Sequence, residues 1–351
     1  RFYTSLLGAL CRNPLVLILD EPSSFLNEAQ RQHLYKNLRL LAEKGTAIIV
    51  ITHSMAEARQ YCDTVTSLAK GRITARYEHS ADFKEGCAGY IDFNTHGSTE
   101  NARILSNPKD NPMKNYISFS DVTVRPVNRP ALFNVSFTVK SGCITLIQGL
   151  SESGLGTLED LVTGMILFRS SGKVMLCCTS GTAEKTEITI DLSKKILTAA
   201  MLRGKNKNIA AIIPSDRTFR AANPDLNVGQ ILSVYYTGKN PASYAKKLIR
   251  EADVAIKPEE KGEKLSGGML QRLILARELD VNPAFLILCE PLQGLDSQAA
   301  EDMKSKLSLL AAQGKAVLIL SASGFPEQFC QTVYTLSGGI LTLQSDKTEA
   351  V

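Results

Sequence analysis

The sequence predicts an α/β fold in which mostly parallel sheets are flanked by helices. Two observations support this prediction. The longest apolar runs, such as Leu15–Leu19 and Ala316–Leu320, are continuous and of strand length, as expected for parallel strands buried on both faces. Segments of helical length lie between such runs, for example "EAQRQHLYKNLRLLAEKG" at residues 28–45, which ends at a glycine. Alternation of strands and helices is typical of a parallel-sheet architecture.

One strand–helix–strand element occurs twice along the chain. "RNPLVLILDEPSSFLN" aligns with "VNPAFLILCEPLQGLD" at an offset of 269 residues, measured from Pro14 to Pro283. The same offset carries "GTAIIVIT" onto "GKAVLILS", and after one deletion "YCDTVTSLAKGRI" matches "FCQTVYTLSGGIL". A match of this length indicates two copies of one domain type.

The two copies differ in what precedes them. Residues 79–114 are rich in Gly, Asn, Ser, Asp and Pro, which predicts a linker. A new domain then begins with the alternating segment "YISFSDVTVRPVNRPALFNVSFTVKSG". We therefore expect residues 1–78 to be the C-terminal part of a first domain and residues 115–351 to be a complete second domain. Because the first part lacks sheet strands, we expect it to expose a sheet edge.

The composition is that of an ordinary globular protein, and it excludes several classes of function. The chain has 351 residues, of which 44% are hydrophobic and 21% charged, and this length favours two domains. The net charge of +5 is small and gives no case for nucleic acid binding. No apolar run reaches the length of a membrane span, and the N terminus does not resemble a signal peptide. The eight cysteines form no C-x-x-C pair and the four histidines lack metal-ligand spacing, so we expect reduced thiols rather than disulfides or zinc.

A glycine-rich turn, "GLSESGLGT", follows the apolar strand "ITLIQ" and approximates the phosphate-loop pattern G-x-x-x-x-G-K-[ST]. Gly149 and Gly154 fit the two glycines, whereas Leu155 occupies the lysine position. Gly156 occupies the hydroxyl position, and Thr157 comes one residue late. We expect Gly149, Gly154 and Thr157 to be nucleotide-binding residues. Backbone N–H groups of such a loop can hold phosphate, but leucine cannot neutralise its charge. We expect nucleotide binding without hydrolysis here; the alternative is a turn that binds no ligand.

A second glycine motif, "KLSGGMLQRLILAREL", precedes the strand "LILCEP". Its serine and glycines predict another helix N terminus that can bind an anion. The order of glycine loop, "LSGG" helix, strand with acids and strand with a polar tip closely resembles the ATP-binding cassette ATPases, whose signature motif is "LSGG". The resemblance implies a P-loop NTPase-type fold with an antiparallel β portion and a helical portion. It also implies ATP and Mg²⁺ as ligands, each ATP lying between the phosphate loop of one cassette and the "LSGG" of another.

In the first copy the resemblance implies roles for three residues of "LILDEP" and "ITHS". Asp20 would hold Mg²⁺ through water, Glu21 would be the general base, and His53 would contact the γ-phosphate. Asn27 stands at the D-loop position, which is usually aspartate. The signature of this first cassette would end just before Arg1, with its phosphate loop further upstream. We therefore expect the chain to be an N-terminally truncated piece of a longer protein.

In the second copy most of the corresponding positions are changed. Cys289 stands at the position of the magnesium acid, although Glu290 keeps the place of the base. Ala322 occupies the switch-histidine position, and Ser215 replaces the glutamine of the Q-loop, whereas the D-loop aspartate is intact at Asp296. The resemblance therefore implies a degenerate second cassette.

The retained groups of the two copies complement one another. In the head-to-tail pairing of the family, the carboxylates and histidine of the first copy would meet the signature of the second. That composite site would be competent for hydrolysis, and its twin would be degenerate. The implied composite site consists of Asp20, Glu21, His53, Ser266, Gly267 and Gly268.

The sequence around the second phosphate loop resembles one branch of the family more than others. The lysine-free loop, "PSDR" at Pro214–Arg217 and the altered acid pair are similar to the second cassette of bacterial simple-sugar or nucleoside importers. This implies an ATPase subunit peripheral to the cytoplasmic face of the membrane, with transmembrane permease subunits and a solute-binding protein as partners. Residues 223–236 would lie at the permease docking surface.

Two other classes of function stay open at the level of sequence. One is a soluble tandem cassette acting in translation, although that branch usually keeps both sites intact and has a long charged linker. The other is a non-catalytic regulatory remnant. A phosphate loop and an "LSGGQ" motif in the upstream reading frame would favour the enzyme.

Overall fold

The computed structural model describes residues 2–20, 22–23, 28–52, 55–69, 72–78, 115–165, 168–179, 185–204, 209–295, 297–322 and 324–347. The chain divides into two compact units, residues 1–106 and 107–351. No helix within these described ranges is long and apolar enough to cross a membrane.

The first unit alternates helices and strands, as the sequence predicts. A two-stranded parallel sheet is formed by β1 and β2, and an antiparallel hairpin by β3 and β4. In chain order the elements are α1 (Phe2–Leu10), β1 (Val16–Asp20), α2 (Glu28–Glu43), β2 (Ala47–Ile51), α3 (Met55–Tyr61), β3 (Val65–Ala69) and β4 (Arg72–Tyr77).

One face of the β1–β2 sheet is covered by α2, whereas the other is open. Leu17 and Leu19 are buried against Leu34 and Leu38 of α2. On the opposite face of β1, Ile18 is 62% exposed. Within the described part of the first unit, β1 and β2 pair only with each other, so the expected sheet edge is present.

The second unit contains sixteen further α-helices and β-strands among its described residues, beginning with two antiparallel strands. They are β5 (Tyr116–Val124), β6 (Leu132–Lys140), β7 (Ile144–Gln148), α4 (Leu155–Val162), β8 (Ser170–Thr179), β9 (Lys185–Asp191), α5 (Ala199–Arg203), β10 (Ala210–Ile213), α6 (Val228–Leu232), α7 (Pro241–Glu251), α8 (Gly267–Asp280), β11 (Phe285–Cys289), α9 (Ser297–Ala312), β12 (Ala316–Ser321), β13 (Thr332–Ser337) and β14 (Ile340–Asp346).

These strands form two sheets with different topologies. The larger has the order β10-β11-β12-β7-β13-β14, in which all neighbours are parallel except β13 and β14. The smaller, β6-β5-β8-β9, is antiparallel. One apolar core lies between the two sheets and α4, a second lies under α8 and α9, and a third joins α6, α7 and α8. The expected parallel, antiparallel and helical portions are thus all present.

The internal repeat has the same register in both units. Val16 pairs with Ala47 in the first unit, and Phe285 pairs with Ala316 in the second. Both residues of the pair are therefore shifted by the 269 positions found in the sequence, and so are the two ends of α2 relative to α9. The repeat in the sequence is thus a repeat in three dimensions.

Candidate functional site

The predicted site positions of the second unit lie at one edge of its large sheet. Strands β7, β10, β11 and β12 are parallel, so the loops that follow them leave the same edge. Gly149, Ser215, Glu290 and Ala322 lie in these four loops. The carboxyl edge of a parallel sheet is where α/β proteins bind ligands.

The phosphate loop keeps the backbone geometry that its glycines predict. A Cβ atom at Gly149 would lie 2.6 Å from the carbonyl oxygen of Leu336, so the fold itself requires glycine there. Gly154 has a φ of +99° and immediately precedes α4, a conformation that favours glycine. No side chain within the described residues caps the N terminus of α4. The N–H groups of its first turn therefore point into the loop without a side-chain acceptor.

The side chains of Leu155, at the lysine position, and of Thr157 are directed away from the loop. Leu155, at the lysine position, is buried in the core between the two sheets. Thr157 is buried as well, and its Oγ1 donates a 2.7 Å hydrogen bond to the carbonyl oxygen of Pro130. The structure therefore brings neither side chain to the ligand side of the loop.

The two residues at the acid-pair position of the second copy, Cys289 and Glu290, are buried. Cys289 is 1% exposed, and burial, together with the nearby carboxylates Glu159 and Glu290, raises the pKa of its thiol well above the ordinary value. It is a neutral thiol at pH 7 and cannot replace a magnesium-binding carboxylate. The carboxylate of Glu290 accepts hydrogen bonds from Ser321 Oγ, at 3.1 Å, and from the N–H of Ala322.

Ser215, at the Q-loop position, is joined to the helix that follows the phosphate loop. Its N–H and its Oγ donate to the carboxylate of Glu159, at 3.0 and 2.9 Å. Burial raises the pKa of Glu159, while these hydrogen bonds and the charge of Arg220 oppose the shift. The next residue, Asp160, forms ion pairs with Arg220 at 2.6 Å and with Arg129. The Q-loop and α4 are thereby held together.

The "LSGG" segment begins α8 and faces outward. Ser266 is the N-cap, and its Oγ accepts a 3.3 Å hydrogen bond from the N–H of Met269. A Cβ atom at Gly267 would meet nothing within 4 Å, and one at Gly268 would make only ordinary contacts, the nearest at 3.5 Å to the carbonyl oxygen of Gly294. The packing of this unit therefore does not require either glycine.

In the first unit, Asp20 is the exposed last residue of β1 and pairs in register with Ile51 of β2. The segments that follow these two strands leave the same edge of the sheet. Glu21, Asn27 and His53 of those segments lie outside the described residues, and so does Asp296 of the second unit; their roles stay predictions.

Sequence reasoning missed a buried polar cluster beside these segments. Glu57 of α3 is 5% exposed and accepts hydrogen bonds from Ser23 Oγ at 2.7 Å and from Tyr35 OH at 2.8 Å. Arg31 Nε lies 3.3 Å from the same carboxylate. Since Ser23 is two residues beyond Glu21, the cluster ties the segment after β1 to helices α2 and α3.

The described residues of the second copy lack this cluster, and a short 3₁₀ turn, Glu327–Phe329, stands where the first copy has helix α3. At the 269-residue offset, Ser23 corresponds to Leu292 and Arg31 to Ala300. Glu57 aligns with Phe325 or Pro326, depending on where the one-residue deletion is placed, and neither of these is acidic. Tyr35 and Tyr61 stack with ring centroids 4.1 Å apart. Their counterparts form a cation–π contact of 5.7 Å instead, in which the partners are Lys304 and Phe329. The sequence did contain a signal for this cluster, because several of its polar residues align with apolar residues in the second copy.

We expect Cys289→Asp to lower the free energy of unfolding of this chain by about 2–4 kcal/mol, because it places a carboxylate in a buried position beside two others. Arg217 and Arg220 are close enough to offset part of this cost. The matched control is Asp20→Cys, at the equivalent exposed position, which we expect to change stability by less than about 0.5 kcal/mol. Urea unfolding followed by circular dichroism measures both. Equal effects of the two substitutions would show that Cys289 is not closed off.

Comparison with known proteins agrees with this geometry. Residues 132–293 match the family model described as ABC transporter. The matched segment lies within the second unit. A similar fold is seen in a solved dimer of an ATP-binding cassette in a post-hydrolysis state, bound to ADP and Pi. The structural alignment covers 65% of this chain and 98% of the solved chain, with a TM-score of 0.50 and 21% sequence identity.

Curated cassette proteins match nearly the whole chain. It is 26% identical over 99% of its length to the probable riboflavin import ATP-binding protein RfuB of Treponema pallidum. It is 25% identical over 97% to the ribose import ATP-binding protein RbsA of Clostridium perfringens, and 27% identical over 90% to the nucleoside import ATP-binding protein NupA of Lactococcus lactis. The chain spans 65%, 66% and 61% of these three proteins' own lengths.

Proposed function

We propose that this chain is part of the ATP-hydrolysing subunit of an ABC importer for a simple sugar or a nucleoside. The similar proteins include ribose, riboflavin and nucleoside import ATP-binding proteins. The subunit would act at the cytoplasmic face of the membrane, with transmembrane permease subunits and a solute-binding protein as partners. Permease docking would use residues 223–236, next to which Phe219 is 75% exposed.

We propose that the two composite sites of this subunit are unequal. In the hydrolytic site, the carboxylate of Glu21 takes the proton of the attacking water, and His53 contacts the γ-phosphate. The exposed carboxylate of Asp20 is a ligand type that suits Mg²⁺, which neutralises phosphate charge when bound. Ser266, Gly267 and Gly268 of the second cassette close this site over the triphosphate. The twin site, with Leu155 and Cys289, does not hydrolyse ATP.

The observation that carries this proposal is the open space around Gly267. Glycine at the start of a helix is less favourable than alanine, and here no neighbour in the same unit requires it. Such a glycine is expected where something outside the unit approaches the backbone closely. A triphosphate bound against the N terminus of α8 is an anion that the helix end favours.

The experiment that tests the proposal is Gly267→Ala in the complete protein reconstituted with its permease. We expect the added methyl group to stabilise α8 by about 0.4–1 kcal/mol and yet to reduce ATP hydrolysis by about tenfold, because it occupies the space of the nucleotide. The matched control is Gly8→Ala in α1, where a Cβ atom also meets nothing within 4 Å; this variant should hydrolyse ATP at the wild-type rate. Wild-type hydrolysis by Gly267→Ala would refute the proposed role of the signature.

A further inference from the structure

Arg217 is a buried cation that forms no direct ion pair with a described residue, although the carboxylates of Glu290 and Glu159 lie within electrostatic range. It follows β10 in a short turn and is only 8% exposed. Its Nη2 donates to the carbonyl oxygen of Glu290, a neutral acceptor. Among the residues that the structure describes, its Nε has no hydrogen-bond partner, and the guanidinium forms no ion pair. Burial of an unpaired charge is costly, so this arrangement requires an explanation.

A short chain of contacts joins Arg217 to the phosphate loop. The guanidinium bonds the backbone of Glu290, whose carboxylate is held by Ser321 Oγ at 3.1 Å. The carbonyl oxygen of Ser321 in turn accepts a 3.3 Å hydrogen bond from the N–H of Gly149, the first residue of the loop. Arg217 therefore lies at the same edge of the sheet as the groups that would face a bound phosphate.

The nearby carboxylates have partners of their own. Glu159 is bound by Ser215 and lies 3.7 Å from Arg220, while Asp160 pairs with Arg220 and Arg129. Burial lowers the pKa of Arg217, and the negative charges of Glu290 and Glu159 oppose this shift. Since an arginine stays protonated even when its pKa is lowered by burial, a positive charge remains in the site.

A magnesium ion does not fit this site in the way it fits an ordinary cassette. Mg²⁺ requires oxygen ligands in near-octahedral geometry, but the strand-end acid is replaced by the buried thiol of Cys289. The hydroxyl of Thr157 is bound to Pro130. A guanidinium already lies beside these positions, and it would repel a divalent cation.

We propose that Arg217 takes the place of the magnesium ion in the degenerate site, so that this cassette binds the polyphosphate of a nucleotide without a divalent cation. A guanidinium can form paired, charge-assisted hydrogen bonds to phosphate oxygens. The bound phosphate would supply the anionic partner that the described residues do not give to Arg217. The inference rests on the proposed function in one respect, that nucleotide binds at residues 149–157.

The test is calorimetric titration of the 351-residue chain with ATP, once with excess MgCl₂ and once with excess EDTA. We expect the two Kd values to agree within about twofold, because the protein provides the cation. Arg217→Gln should weaken ATP binding in EDTA by at least about tenfold. Arg217→Lys keeps the positive charge but cannot form the paired hydrogen bonds of a guanidinium, so its loss of ATP affinity should be smaller. Arg272→Gln is the matched control, since Arg272 also donates to a backbone carbonyl but is exposed; it should bind as the wild type does.

Three results would overturn the inference. A wild-type Kd at least about tenfold lower with magnesium than with EDTA would show that the site needs the metal, and nucleotide binding by the loop would stand. Wild-type affinity of a folded Arg217→Gln in EDTA would show that the guanidinium does not hold phosphate. If Arg217→Gln fails to fold, the wild-type comparison and Arg217→Lys still decide the question. No binding of ATP in either buffer would overturn both the role of Arg217 and the proposed binding at this loop.

Discussion

Glu21→Gln in the complete protein, assayed with its permease, is expected to reduce the rate of ATP hydrolysis by at least about 100-fold, the usual contribution of a general base. Glutamine has the size of glutamate but cannot take a proton from the attacking water. ATP binding should persist, because positioning of the phosphates does not depend on this proton transfer. Phosphate release measures the rate, and retention of labelled ATP on the purified complex measures the binding.

The repeat supplies the matched control for this variant. Glu290→Gln changes the equivalent residue of the second copy, which is 9% exposed and whose carboxylate already accepts hydrogen bonds from Ser321 and Ala322. We expect its hydrolysis rate to stay within about twofold of the wild type, since we propose that the site with Cys289 does not turn over. Equal losses in both variants, or normal turnover by Glu21→Gln, would contradict the unequal division of the two sites.

Ser266→Asp is expected to leave the stability of the second unit unchanged within about 0.5 kcal/mol, because aspartate and serine are similarly good N-caps. The same substitution should lower ATP hydrolysis by at least about tenfold, since its carboxylate would repel a triphosphate bound at the start of α8. Urea unfolding and phosphate release separate the two effects. A structural role alone would predict no loss of hydrolysis.

Asn240→Asp is the control for a new carboxylate at a helix N terminus. Asn240 caps α7, where its side chain accepts a 3.0 Å hydrogen bond from the N–H of Ser243, and it lies outside the proposed site and docking segment. This variant should keep wild-type hydrolysis. If Asn240→Asp loses as much activity as Ser266→Asp, the loss does not report on a nucleotide at the signature.

The architecture was predictable from the sequence because it depends on apolar runs that recur at a constant spacing. The offset between Pro14 and Pro283 predicted that two strands and the helix between them recur without insertion, and the structure shows that the two strand pairs share one register. The positions of Gly149 and Gly154 were predictable for a related reason. The loop pattern specifies both glycines. Only the positive φ of Gly154 is a local requirement, whereas Gly149 is required because the distant residue Leu336 approaches its backbone.

The side-chain networks were not predictable, because they join residues far apart in the chain. Ser23 and Glu57 are separated by 34 positions, and Arg217 and Glu290 by 73. The pattern of the phosphate loop also predicted Thr157 as a nucleotide-binding residue, yet its hydroxyl donates to Pro130, in the loop that connects β5 to β6. Only the folded backbone determines which of several possible acceptors such a hydroxyl reaches.

The most direct test of the unequal sites is a structure of the complete protein carrying Glu21→Gln and loaded with ATP. The proposal predicts that residue 21 of the first cassette and Ser266 of the second flank the same triphosphate. A structure in which these two residues lie against different nucleotides, or on opposite sides of the molecule, would contradict it.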